Sequence, residues 1–315
     1  MHIHSTIQNL PHFKNAVVTI GTFDGVHVGH QQIIEMMKTE AVAIGGETVI
    51  ITFNPHPRSV IAKNKKPISL LNTLEEKEQM LEAAGIDHLV IVPFTEAFAA
   101  QSAAAYINDF LVKHFHPHTI IIGHDHRFGK DRLGDFELLA SRAAELKYVV
   151  KEIPAYMLEA ITISSTKIRE ALSNGHVAIA QQLLGYAYFF SGKIIAGNKL
   201  GRTIGFPTAN LSIEADNKLI PGNGVYAVSV VLQEPNCSNV YLKGMMNIGY
   251  RPTVDGATRM IEVNLFDFDR DIYGATLTVH VEAHLRSEVK FNGLDALKAQ
   301  LALDKAQAIA ILQLK

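Results

Sequence analysis

The sequence predicts two unlike domains: an open, doubly wound α/β domain with a parallel sheet, then a small antiparallel β-barrel carrying a C-terminal α-helix. Three observations predict this. Strand-like apolar runs alternate with helical periods in the first half, as repeated βα units do. Beyond residue 185, strand-like runs follow one another without helices between them. The chain, at 315 residues, is long for a single hydrophobic core. The boundary is expected near Gly185, giving domains 1–185 and 186–315.

The elements follow in order. Residues 16–21 (AVVTIG) read as a buried strand, and Ile33, Ile34, Met37, Ala41 and Ile44 then recur at helical spacing. Residues 47–53 (ETVIITF) form a second strand. Thr73 and Glu76 make a capping box that opens a helix, which Gly85 can end. Residues 88–94 and 119–123 are further apolar strands, with a helical stretch over 102–115 between them. A helix near 135–147 precedes the strand 148–153, and residues 164–185 read as two short helices. The β-type segments 188–195, 224–232, 240–248, 260–268 and 276–284 are divided by Gly, Pro, Asn and Asp. From Leu294 onward, Leu297, Leu301, Ala308, Ile311 and Leu312 keep a helical period, expected to pack across the barrel.

Composition narrows the function classes. The chain is 48% apolar and 19% charged, with a net charge of -2 and no dense Lys/Arg stripe, so nucleic acid is not an expected partner. A nucleotide-sized anion remains open, because a few N–H groups and cations bind one without a global basic excess. Cys237 stands alone and fits a reducing compartment. The first 15 residues lack an apolar signal core and no run approaches a membrane span, so a cytoplasmic location is expected, with no membrane partner. Self-association is left undetermined. The fifteen histidines, including the alternating His114, His116 and His118, lack the ligand set that zinc needs. Met36, Met37, Met245 and Met246 are read as packing residues.

The run from Gly21 to His30 (GTFDGVHVGH) sits between the first strand and first helix, at the edge where such folds bind ligands. Gly21, Gly25 and Gly29 allow the backbone to approach a phosphate, with Phe23 and Asp24 within the same turn. The helix, expected to begin near His30, points N–H groups and its positive end there. His27 and His30 add donors that strengthen contact with a phosphate as charge grows. A Gly-rich turn with incidental histidines is the plainer alternative. Asn54 follows the second strand in FNPHP, while Asp125 and Phe128 follow the fourth in GHDHRFG. Ser164, Ser165 and Thr166 open a helix that also carries Arg169, hydroxyls and a guanidinium suited to a polyphosphate or to simple capping.

A second constellation runs from residue 197 to 210 (GNKLGRTIGFPTAN). Gly197 and Gly201 can fold a phosphate-covering loop, with Lys199 and Arg202 nearby. Thr208 and Asn210, two apart in an extended segment, project oxygens to one side, and hard oxygens are what Mg²⁺ takes. A flexible loop before a strand is the alternative. Glu262 alone reads as a solvent-facing strand residue.

The strings GTFDGVHVGH, FNPHP and ISSTKIREAL resemble the adenylyltransferase half of bacterial bifunctional riboflavin kinase/FAD synthetases. LGRTIGFPTANL, PGNGVYA, NIGYRPT, IEVNL, DIYG and LRSEVKF resemble the riboflavin kinase half, in the family's order, so the likeness spans nearly the whole chain. The resemblance implies a Rossmann-like nucleotidyltransferase domain, with His27, His30 and Arg169 contacting ATP and Ser164, Ser165 and Thr166 holding the triphosphate. It implies that Asn54, Asp125 and Phe128 position the flavin. His126 departs from the aromatic residue the family often carries before Arg-Phe-Gly, leaving that flavin contact open. In the barrel it implies Glu262 as catalytic base, Thr208 and Asn210 as Mg²⁺ ligands on ATP, and Arg286 and Phe291 in a flap near the flavin. The implied substrates are riboflavin, FMN and ATP. Two rivals stand beside this: the same transfer onto another phosphorylated acceptor, and a barrel that binds flavin without catalysis.

Overall fold

The computed structural model describes residues 1–61, 68–123, 126–154, 165–197, 200–234, 238–253 and 256–314. Asp125, Ser164 and Lys199, expected at the sites, lie outside the described residues, as does Cys237. The chain divides into two compact units, Met1–Ser165 and Thr166–Lys315.

The first unit holds six parallel strands: β1 (His2–His4), β2 (Val17–Ile20), β3 (Thr48–Asn54), β4 (His88–Pro93), β5 (Thr119–Ile122) and β6 (Val149–Glu152). Their order is β1-β4-β3-β2-β5-β6. The four central strands are near-continuous apolar runs buried along most of their length, as a sheet covered on both faces requires. Alternation sorts them into two layers. Val18, Ile20, Val49, Ile51, Val90, Val92, Ile120 and Ile122 pack against Tyr106, Phe110, Phe115 and Leu139. Val17, Ile50, Leu89, Ile91 and Ile121 pack on the other face against Ile34, Met37, Ala41 and Leu81. Helices α1 (Val28–Ile44), α2 (Pro57–Ile61), α3 (Leu74–Ala83), α4 (Glu96–Ala99), α5 (Ala103–Ala105), α6 (Lys113–Phe115) and α7 (Phe136–Leu146) complete the unit, with the turns of Tyr106–Val112 widened into a π-helix. The expected capping box is formed at Thr73 and Glu76, with both of its hydrogen bonds made.

From β2 the chain steps to β3 on one side, and β5 later lies on the other. That reversal is the topological switch point of the sheet, and open α/β folds bind ligands beyond the carboxyl ends of such strands, where here Gly21 and Gly123 begin their loops.

The second unit begins with α8 (Ser165–Ser173, whose first residue belongs to the first unit) and α9 (Val177–Leu184). This pair packs on the barrel: the Gly222 N–H donates to the Leu172 carbonyl at 2.9 Å, and Gln181 Nε2 donates to the carbonyls of Val281 and Glu282. Strands β7 (Phe189–Ile195), β8 (Ala209–Ser212), β9 (Gly224–Gln233), β10 (Val240–Thr253), β11 (Gly256–Leu265) and β12 (Thr276–Arg286) close in the order β10-β11-β8-β7-β12-β9. Closure leaves no unpaired edge. A short helix, α10 (Leu200–Thr203), precedes β8. The terminal helix, α11 (Leu294–Gln313), lays Ala308 and Leu312 on Ala227, Met245 and Phe266 of the barrel.

Candidate active sites

The first site is built on the turn between β2 and α1. Helix α1 begins at Val28, two residues before its expected start, because His27 is its N-cap: Nδ1 accepts the His30 N–H at 3.4 Å. That N–H is therefore engaged, and the helix start offers the N–H groups of Val28 and Gly29 instead. The two imidazoles stack, ring centres 3.7 Å apart, and Phe23 packs behind His30 at 4.7 Å. His30 Nδ1 is buried without a partner. Burial, then His27, then Lys77 hold the His30 pKa well below its ordinary value, so its ring is neutral near pH 7. The turn's backbone is unusual: φ is 47° at Phe23, 91° at Gly25 and 33° at Val26. Only Gly25 adopts such a value without steric cost.

Asp24, expected to bind phosphate, is bonded to a neighbouring loop. Its buried carboxylate accepts the backbone N–H groups of Leu71, at 2.9 Å, and Asn72, at 3.3 Å. An anion so placed pins the turn. Ser165 Oγ donates to the Asp24 carbonyl at 3.1 Å, which ties Ser165 to the Gly21–His30 motif within the first unit. Thr166 and Arg169 fall in the second unit. Asn54 is exposed at the end of β3, and Phe128 is buried against Tyr106 with ring centres 4.8 Å apart.

The second site is a cavity of about 550 Å³ over one face of β10 and β11, beside the segment before β8. Cross-strand register sets a polar row: Glu262 pairs with Asn210 on one side and on the other with Asn247, which also lines the cavity. Ile261, Val263 and Leu265 alternate with this row and are buried in the opposite face. Gly201, Thr208, Glu262, Arg286 and Phe291 all line the cavity, so these expected residues converge in space. Arg202 lies instead in a smaller neighbouring pocket with Asp269 and Asp271.

Asn210 is 6% exposed and its Oδ1 has no hydrogen-bond partner. Gly197 lets the chain pass against it: a Cβ there would stand 2.1 Å from Asn210 Nδ2. An orphaned, buried amide oxygen, two residues along the chain from the Thr208 hydroxyl, fits a hard cation with an oxygen shell.

Sequence reasoning assigned no role to Asn247 or Asn264. Asn264 lies two residues beyond Glu262 on the same strand face, a spacing that signals it, and donates to the Pro207 carbonyl at 2.7 Å. Asp304 was also missed. Its carboxylate, 1% exposed, receives Arg286 Nε and Nη2 at 2.8–3.1 Å, so the Arg286 guanidinium is already paired. The Arg286 guanidinium also lies 5.5 Å from the Phe291 ring centre.

Comparisons with known proteins agree with this division. Residues 10–167 match the FAD synthetase family and residues 184–312 the riboflavin kinase family. The chain belongs to the bifunctional riboflavin kinase/FMN adenylyltransferase family. A relative of that description from Haemophilus influenzae is 38% identical, covering 94% of each chain, and one from Listeria monocytogenes is 39% identical, covering 92% of this chain and 90% of its own. A solved structure described as a macrolide-efflux protein from Streptococcus pneumoniae superposes with a TM-score of 0.84 at 30% identity, covering 96% and 97% of the two chains. Among the described residues of this family member, no helix is long and apolar enough to cross a membrane.

Proposed function

We propose that this enzyme's two activities occupy its two sites: riboflavin kinase in the barrel cavity and FMN adenylyltransferase at the β2–α1 turn. The functional domains are 1–185 and 186–315. The observation that carries the reading is Glu262 and Asn247 inside a cavity with an apolar wall, with Asn210 next to Glu262 in the strand register.

Riboflavin's hydroxyl is a poor nucleophile. Glu262 accepts its proton as the oxygen attacks the γ-phosphorus of ATP. The apolar wall from Leu294, Leu297 and Leu301 suits a flat aromatic ring system, and Arg286 and Phe291 line the same cavity. Thr208 and Asn210 would hold Mg²⁺, which neutralises phosphate charge when bound.

FMN brings an ionised phosphate, so adenylyl transfer needs no base. His27, His30, the Val28 and Gly29 N–H groups, Ser164, Ser165, Thr166 and Arg169 hold the triphosphate and stabilise departing pyrophosphate. Asn54, Asp125 and Phe128 belong to the flavin side. The partners are thus riboflavin, FMN and ATP.

Incubation with riboflavin, ATP and Mg²⁺, followed by chromatography, should yield FMN and FAD. FAD formed only from supplied FMN would remove the kinase assignment. No FAD from either flavin would remove the transferase assignment.

A further inference from the structure

Helix α3 opens with the charged run Glu75-Glu76-Lys77-Glu78, which reads as a solvated helix face. Lys77 is nevertheless 8% exposed. Its Nζ donates to the Thr22 carbonyl at 2.7 Å and lies 3.5 Å from Thr52 Oγ1. Thr52, wholly buried on β3, donates its own hydroxyl to the same carbonyl at 3.2 Å. Two donors from two elements thus converge on one backbone oxygen, at the residue preceding Phe23.

That location matters because residues 23–26 contain the unusual backbone. Val26 at φ 33° is β-branched and disfavours this region strongly, so surrounding contacts must impose it. Asp24 fixes the turn from the Leu71–Asn72 side and Lys77 from the α3 side. Burying an ammonium is costly, and a neutral donor already reaches the same carbonyl. Burial lowers the Lys77 pKa, and Asp24 and Glu78 oppose that shift. The charge itself bears on the site, since Lys77 is among the groups that keep His30 neutral.

We infer that Lys77 is a positioning residue for adenylyl transfer: through the Thr22 carbonyl it holds the β2–α1 turn, and with it the His27–His30 pair, in the geometry that receives the ATP triphosphate. This rests on the assignment of adenylyl transfer to that turn. The ammonium is engaged by the Thr22 carbonyl. It acts through the backbone it anchors and through its field on His30.

The test uses the full chain with Lys77→Met, a side chain of similar reach without charge or donor. FAD formation from supplied FMN should show an ATP KM raised about tenfold or more, within the range expected when a reacting group is misplaced by less than 1 Å. Riboflavin phosphorylation should stay within about twofold, since that chemistry belongs to the other unit. The His30 imidazole, followed by NMR, should titrate at higher pH once the neighbouring cation is gone. A folded Lys77→Met protein with an unchanged ATP KM, or with His30 titrating as before, overturns the inference. Where Lys77→Met does not fold, Lys77→Gln decides: shorter and uncharged, it withdraws the donor from the Thr22 carbonyl and should raise the same KM, and an unchanged KM in that folded variant overturns the inference. An unaltered chain that makes no FAD from FMN removes the assignment beneath it, a distinguishable result.

Discussion

Asp304→Ala should destabilise the second unit strongly. Asp304 sits on α11 with its carboxylate 1% exposed, and Arg286 ends β12 with its side chain 19% exposed. Three N···O contacts of 2.8–3.1 Å join them, and Gln300 Nε2 donates to the same carboxylate at 2.8 Å. Removing one partner of a buried pair costs about 3–5 kcal/mol, because the other charge stays buried and unpaired. In a unit the size of Thr166–Lys315, each kcal/mol moves the midpoint by about 2–4 °C. Calorimetry of the full chain should therefore show one transition, assigned to this unit by its upward shift with riboflavin, falling by roughly 6–20 °C. The double variant Arg286→Met/Asp304→Leu should recover much of the loss, since a packed apolar pair replaces a buried ionic one at little cost. A drop smaller than about 2 °C for Asp304→Ala would refute the reasoning, because it would mean water already solvates the guanidinium.

Two further outcomes follow from the sites. His30 has a folded-state pKa below the roughly 6.5 of an unfolded chain, so the unfolded state binds more protons between the two values. Stability of the first unit therefore falls as pH drops below about 6.5, and His30→Gln should remove part of that loss when unfolding midpoints are compared at pH 7.5 and 5.5; equal pH dependence in both proteins would contradict this. Gly197→Ala should displace Asn210 and raise the Mg²⁺ concentration for half-maximal FMN formation by about 10–100-fold, leaving FAD synthesis from FMN unchanged in the same assay.

The sequence makes the central sheet legible because its strands are continuous apolar runs, and a parallel sheet buried on both faces tolerates nothing else. The Thr73–Glu76 box was readable because capping is local. Short or weakly patterned strands escaped. β1 (His-Ile-His) pairs only along one edge with β4, and the four-residue β8 takes its place from barrel closure more than from its own pattern. β10 runs on to Thr253 through Pro252, past the expected end at residue 248, because its hairpin with β11 continues the register to Gly256.

At the sites, motif residues close in sequence were legible, and partners distant in sequence were not. Nothing local marks Lys77 as buried beneath Thr22, 55 residues away. Asp24 reads as one more motif residue until Leu71 and Asn72 are seen donating to it. Asp304, in the run LALDKAQ, looks like the polar face of a helix until Arg286 reaches it.

The central claim is that two separate chemistries share one chain, one needing Glu262 and the other the His27–His30 pair. Glu262→Gln and His30→Ala proteins should each fail to convert riboflavin to FAD in the presence of ATP and Mg²⁺. Glu262→Gln should still make FAD from supplied FMN, and His30→Ala should accumulate FMN. Chromatography of the two variants mixed together should then show FAD formed from riboflavin, because FMN released by one is adenylylated by the other. Loss of both steps in either folded variant, measured separately, would contradict the account.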